Sequence, residues 1–144
     1  MSKAALITGA NGITGSAILD YLTRNTTADE WSRIIITSRS PLTLDVHDSR
    51  VEFIALDFTK SPAQLAQEMR PICTDVTHAY FSSYIHKDDF KELNVANRSL
   101  FENFLQALLD VATNLQNRTL QTGGKYYKVH LRPVPSPARE DQPA

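Results

Sequence analysis

The 144-residue chain reads as an α/β protein built on a parallel sheet of about five strands. Three features point there. Short apolar runs alternate with longer amphipathic ones, the pattern of βαβ units. The first run, Lys3–Thr8, is almost continuously apolar, as a strand covered on both faces must be. A glycine-rich turn joins that run to the helical stretch after it.

The remaining elements follow in order. Residues 12–24 place Ile13, Ala17, Ile18, Tyr21 and Leu22 at helical spacing. The stretch 33–37 contains Ile34, Ile35 and Ile36, β-branched residues suited to a pleated surface, and 51–56 is a third strand. A second helix opens at Ser61, whose hydroxyl can cap free N–H groups; Pro62 suits the first helical position and Gln64 can close a capping box. Pro71 is expected to end it, because the residue before a proline is pushed out of the helical region. The fourth strand is 76–81. Asp89 and Glu92 have the spacing of another capping box and open a long helix, with Phe90, Leu93, Ala96, Leu100, Phe104, Leu108 and Leu115 on one stripe. That stripe can face the core or a second copy of the chain; the core is favoured, with a homodimer as the alternative. Residues 118–122 form a short fifth strand. From Arg132 the character changes, with Pro133, Pro135, Pro137 and Pro143 in an extended tail.

Charge narrows the function classes. Fifteen Lys and Arg stand against 16 Asp and Glu, a formal net charge of -1, so there is no electrostatic case for nucleic acid or an anionic membrane. No apolar run approaches the roughly 18–20 residues of a membrane span, and the first residues lack the apolar stretch of a secretory signal. The single Cys73 excludes an internal disulfide and fits a reduced compartment, so a soluble cytoplasmic protein is expected. His47, His78, His86 and His130 are dispersed, and no metal site is expected.

The strongest site signal is Thr8-Gly9-Ala10-Asn11-Gly12-Ile13-Thr14-Gly15. A G-x-x-G-x-x-G string is weak alone, but here it leaves a buried strand and opens a helix, the context a dinucleotide site needs. Gly9 permits the tight exit from the strand, Gly12 lets the backbone approach a pyrophosphate, and Gly15 lets helix and sheet pack closely. Thr8, Gly9, Asn11, Gly12, Ile13 and Gly15 are the expected phosphate-loop contacts, at a helix end with unpaired N–H groups. The bland alternative is a glycine-rich turn with no ligand. The fold expected is therefore a Rossmann-like, doubly wound sheet over residues 1–131, with a proline-rich loop or tail over 132–144.

NAD sites place an acidic residue after the second strand. This chain has Ile36-Thr37-Ser38-Arg39-Ser40-Pro41 there and no carboxylate before Asp45. Arg39 can form a charge-assisted fork with a 2′-phosphate, and Ser38 and Ser40 can add hydroxyl donors, so the expected cofactor is NADP. A solvated surface arginine is the alternative. Asp57, after the third strand, is expected at the adenine edge, a position equally suited to a turn residue. Ser82 ends the fourth strand, where its hydroxyl can reach the nicotinamide ribose. The Tyr-x-x-x-Lys pair common among enzymes with this glycine pattern is absent: each of the five tyrosines lacks a lysine four residues on. Thr122 and Lys125 instead follow the fifth strand, and ligands of open α/β sheets bind beyond the carboxyl ends of strands. A Gly-Gly turn with a solvated lysine is the competing reading.

Residues 76–81, 97–103 and above all Leu120-Gln-Thr-Gly-Gly-Lys-Tyr-Tyr127, with Val134-Pro-Ser-Pro-Ala-Arg-Glu140, resemble the progesterone 5β-reductase/iridoid synthase group. These are atypical members of the short-chain dehydrogenase/reductase superfamily, and the resemblance runs from the glycine loop to the last residues. It implies NADPH-dependent 1,4-reduction of an activated enone, with a small-molecule carbonyl or enone substrate, in specialised metabolism. It also implies roles: Lys125 matches the family's motif lysine, Thr122 its strand-end hydroxyl, and Asn97 its long-helix asparagine. The family's downstream Tyr-Tyr-x-x-Glu/Asp-like motif and last sheet strands lie past residue 144, and Lys128 and Arg132 stand where relatives tend to have glycine. The resemblance therefore implies the N-terminal part of a reductase, its proline-rich end being an active-site loop. A catalytically inactive nucleotide-binding module is the second reading.

Overall fold

The computed structural model describes residues 2–43, 45–123, 131–133, 139 and 141. Among them run β1 (Lys3–Thr8), α1 (Ile13–Asn25), β2 (Trp31–Ser38), β3 (Val51–Ala55), α2 (Pro62–Cys73), β4 (His78–Phe81), α3 (Phe90–Val111) and β5 (Asn117–Leu120). The strands form one sheet of order β3-β2-β1-β4-β5, every neighbouring pair parallel. The chain steps outward from β1 to β3 and then crosses back to β4. This is the doubly wound arrangement, with its switch point between β1 and β4.

Strand alternation divides the core. Leu6, Ile35, Ala79 and Phe81 pack with Leu65 and Met69 of α2 and Phe104 and Leu108 of α3. On the other face, Ala5, Ile7, Ile34 and Ile36 pack against Leu19 and Leu22 of α1. Both faces of β1 and β2 are thus covered, which is why residues 4–7 and 34–36 read as unbroken apolar runs. Phe58, Phe81 and Phe104 form a ring cluster with centroids 5.0–5.9 Å apart, anchoring α3 beneath the carboxyl ends of β3 and β4.

The helix starts behave as their residues dictate. Ser61 and Gln64 make a reciprocal capping box with Pro62 at the helix start, and Asp89 accepts from the amides of Lys91 and Glu92. Three expectations need correction. Pro71 does not end α2, which continues to Cys73. The proline falls in the last turn, where its missing N–H forfeits a single i→i−4 bond, and Ile72 and the buried Cys73 draw that turn onto the core. The long stripe is also shorter than its apolar residues imply. Phe90 is 66% exposed, and α3 stops at Val111, so Leu115 joins the core from the loop beyond. Strand limits move by a few residues: β2 starts at Trp31, β4 at His78, and β5 ends at Leu120.

Arg50 closes α1 from 24 residues away. Its guanidinium meets Asp48 at 2.7 Å and donates to Thr26 Oγ1 and to the carbonyls of Leu22, Thr23 and Trp31, satisfying groups that a helix end leaves unpaired. The pair is nearly buried, and Arg50 holds the Asp48 carboxyl below its ordinary range.

Candidate functional site

β1 ends at Thr8, and the backbone turns sharply at Gly9, which has φ +64°. An L side chain is disfavoured there on two counts, since a Cβ would lie 2.8 Å from the carbonyl oxygen of Ser82. Gly12 is the N-cap of α1, and its amide donates to Gly9 O at 2.8 Å. No side chain caps this helix and no acidic residue occupies its first turn. Its leading amides therefore have no side-chain acceptor, and their partial positive charge is available to an anion at the Gly12 end of the cleft. Gly15, one turn in, sits against Gly9: a Cβ at 15 would be 2.3 Å from Gly9 O. That contact keeps the start of α1 hard against the strand exit.

The loop after β4 is pinned at both ends. The Ser82 amide donates to Thr8 Oγ1 at 3.1 Å, and the Ser82 hydroxyl donates to Thr8 O at 2.6 Å. Three residues later, the Asn97 carboxamide accepts from Ile85 N–H at 2.9 Å and donates to Ile85 O at 2.8 Å and to Leu93 O at 2.9 Å. Ser83 and Tyr84 stand between these pins.

These segments enclose a cleft of about 450 Å³ at the carboxyl ends of the strands, within the usual size range of small-molecule sites. The glycine loop forms one wall through Gly9, Asn11 and Gly12. The end of β2 contributes residues 38–42; Leu56, Phe58 and Leu100 make an apolar floor; and Ser82, Ser83 and Tyr84 close the far side. Arg39 is the one charged residue among the described lining residues. Asp57 stands beside the cleft, accepting from the Thr59 hydroxyl at 2.7 Å and the Thr59 amide at 3.0 Å. Those bonds, with Arg39 and Lys60 nearby, hold its carboxyl below the ordinary value.

The cleft thus brings together Gly9, Asn11, Gly12, Ser38, Arg39 and Ser82 of the expected site residues. Thr8 and Gly15 lie behind its wall, Thr8 fully buried. Ile13 points away: it is 93% exposed and lines a separate groove along α1 with Tyr21 and Tyr80. The Ser38 hydroxyl donates to Ser40 O. Thr122 is exposed beyond β5 and is not part of the cleft lining, and Lys125 lies outside the described residues. Sequence reasoning missed the apolar floor and Tyr84. Position signals were available, since Leu56 and Phe58 flank Asp57 at a strand end and Leu100 lies on the α3 stripe. No group of three or more His, Cys, Asp or Glu side chains able to hold a metal occurs among the described residues, and no described helix is long and apolar enough to cross a membrane.

Comparison with known proteins adds relatives to this geometry. A family profile described as PRISE-like Rossmann-fold domain matches residues 5–144. The chain is 57% identical over 143 residues to the short chain dehydrogenase gsfE of Penicillium aethiopicum, covering 99% of this chain and 38% of that protein. It is 30% identical over 141 residues to a 3-oxo-Delta(4,5)-steroid 5-beta-reductase of Arabidopsis thaliana, covering 98% of this chain and 36% of that one. The chain thus spans 36–38% of the length of these two relatives. Among solved structures, the Bordetella bronchiseptica enzyme WbmG in complex with NAD superposes with a TM-score of 0.72 at 18% identity, over 99% of this chain and 44% of that one. At that identity the likeness is one of fold.

Proposed function

The chain belongs to the PRISE-like Rossmann-fold domain family, within the short-chain dehydrogenase/reductase-like proteins, and we propose from that premise that its cleft binds NADP(H) for reduction of a small-molecule enone or ketone. The observation that carries the reading is Arg39, at the end of β2 on the cleft wall, with no carboxylate among the described lining residues. An adenosine ribose bearing only hydroxyls calls for an acceptor there, whereas a 2′-phosphate calls for a cation.

The residues present fit the group. The uncapped first turn of α1 and the open space at Gly12 suit a diphosphate, since nothing but Gly9 O, at 3.3 Å, would touch a Cβ at residue 12. Arg39, on the cleft wall, is the proposed partner of the 2′-phosphate, and Leu42, Leu56, Phe58 and Leu100 offer an apolar slot for the adenine. Asp57, kept ionised by Thr59, is the acceptor at the adenine edge. Ser83 and Tyr84 bound the opposite end, toward the nicotinamide. When bound, NADPH supplies the hydride. In this reading Lys125 stabilises the negative charge that develops on the substrate carbonyl oxygen, and Thr122 orients the same end. The substrate class is supported by the Arabidopsis relative, whose name denotes reduction of a 3-oxo-Δ4,5-steroid, itself an enone. A role in specialised metabolism is supported by the resemblance to the iridoid synthase group. A reduced, cytoplasmic setting is supported by the lone Cys73, whose thiol burial pushes up to about 12.

The test is a coenzyme-preference measurement. Arg39→Glu should weaken NADPH binding about 10- to 100-fold more than NADH binding, the worth of a lost charge-assisted contact. Equal losses for the two would refute the 2′-phosphate assignment. NADPH oxidation in the presence of an enone panel tests the reductase reading, and saturable binding without turnover would assign a coenzyme-binding module instead.

A further inference from the structure

We propose that Ser40 is a phosphorylation site for a proline-directed protein kinase, and that the modification turns the cleft away from NADP. The inference rests on the NADP reading above. The chain bends at Arg39 and Ser40 as it leaves β2, and both residues line the cleft. Ser40 is exposed, and no hydrogen bond engages its hydroxyl among the described residues. Pro41 keeps Ser40 out of the helical region and has no N–H to bury, so the segment offers the extended Ser-Pro form that such kinases take as substrate. The chain holds two other Ser-Pro pairs. In Ser61-Pro62 the hydroxyl donates to Gln64 Oε1 at 3.0 Å and accepts from the Gln64 amide at 3.3 Å, which ties it into the start of α2. Ser136-Pro137 lies outside the described residues.

In the transfer, the γ-phosphoryl group of ATP passes to Ser40 Oγ, the hydroxyl proton leaves to the kinase's base, and ADP departs. Charge then decides the effect. Arg39 is the one cation among the described lining residues, and the ionised Asp57 already stands nearby. A phosphoserine carries about −1.5 to −2 at neutral pH, more than the single positive charge of Arg39 offsets. The same position thus changes sign: the Ser40 hydroxyl can donate to a 2′-phosphate, whereas a phosphate there repels it and competes with it for Arg39. The adenosine ribose of NADH carries hydroxyls that can donate to such an acceptor, so NADH is spared.

The test treats the chain with a mitogen-activated protein kinase and Mg-ATP, maps the modified serines by peptide mass spectrometry, and titrates NADPH and NADH before and after. Phosphate should map to Ser40. NADPH binding should weaken about 10- to 100-fold, and NADH binding should change by less than about threefold. Phosphatase treatment should restore NADPH binding. Ser40→Ala, compared with itself before and after the kinase, should show no change, which assigns the effect to residue 40 even where Ser136 is modified too. Ser40→Asp, with a single negative charge, should weaken NADPH in the same direction by a smaller factor. A folded parent left unmodified at Ser40, an equal loss of both coenzymes, or a loss of NADPH binding in kinase-treated Ser40→Ala matching that of the parent would each overturn the inference. A parent that binds neither coenzyme removes the NADP reading and this inference together. A parent that prefers NADPH, and still does so with phosphate on Ser40, removes this inference alone.

Discussion

Replacing Gly15 by alanine gives a prediction whose sign is decided by packing. On an isolated helix the change favours folding by about 1 kcal/mol, because alanine loses less backbone freedom than glycine. Here the new Cβ would lie 2.3 Å from Gly9 O, 2.7 Å from Gly9 C and 2.9 Å from Ala10 Cα, where ordinary contacts begin at 3.4 Å. The loop and helix must therefore part by about 1 Å, and the opposing atoms are backbone that no rotamer change can move. Overpacking of this kind costs about 1–3 kcal/mol and more against a rigid wall. The net expectation is a loss of about 2 kcal/mol, a fall in melting temperature of roughly 5–8 °C for a chain of this size. Urea unfolding should show a lower midpoint with an unchanged slope. Under the proposed function coenzyme binding should weaken as well, because the displaced atoms belong to the loop proposed to hold phosphate. Gly123→Ala is the internal control: nothing lies within 4 Å of its Cβ position, so its midpoint should not move. A stabilised Gly15→Ala, or one indistinguishable from the parent, would refute the close-packing account.

Arg50→Lys should destabilise by about 1–3 kcal/mol despite keeping the charge, since an ammonium cannot reproduce the fork that serves Asp48 and three carbonyls; denaturant midpoints would show it, and a loss below about 0.5 kcal/mol would contradict it. Asn97→Ala should cost about 1–3 kcal/mol by leaving Ile85 N–H and C=O unpaired, read from the same transitions. Stability should also fall in acid. Arg50 holds Asp48, and Arg33 holds Glu52, below their ordinary values of 3.8 and 4.5. Carboxyls depressed in the folded state contribute stability that is present above those values and lost as pH drops beneath them. Unfolding midpoints should therefore hold between about pH 5 and 7 and decline below about pH 4, with Asp48→Asn showing a shallower decline; an equally steep decline in that variant would contradict the pairing.

Much of the architecture was legible because local and global preferences agree. The apolar runs of β1 and β2, the caps at Ser61 and Asp89, and the glycine spacing each act within a few residues. The features that escaped depend on groups distant in sequence. Pro71 remains helical because Cys73 and Ile72 are held by a core that local rules do not see. Phe90 has the right spacing yet is largely exposed at the start of α3. At the site, Gly9, Gly12 and Arg39 were readable from motif and strand order. The hydrogen bonds between Thr8 and Ser82 join residues 74 apart, and Arg50 reaches back 27 and 28 residues to the α1 carbonyls; neither pairing leaves a periodic or local trace. Ile13 sits inside the glycine motif, but the first turn of α1 rotates it to the outer side, away from the cleft.

If the cleft bounded by Gly9, Gly12 and Arg39 holds the phosphates of NADP, as proposed, isothermal titration of the 144-residue chain with NADPH and NADH in parallel will show it. Saturable one-to-one binding of NADPH, with NADH weaker by at least about tenfold, is the predicted result. Heat from neither ligand, in protein that melts cooperatively, or equal affinity for the two, would contradict it.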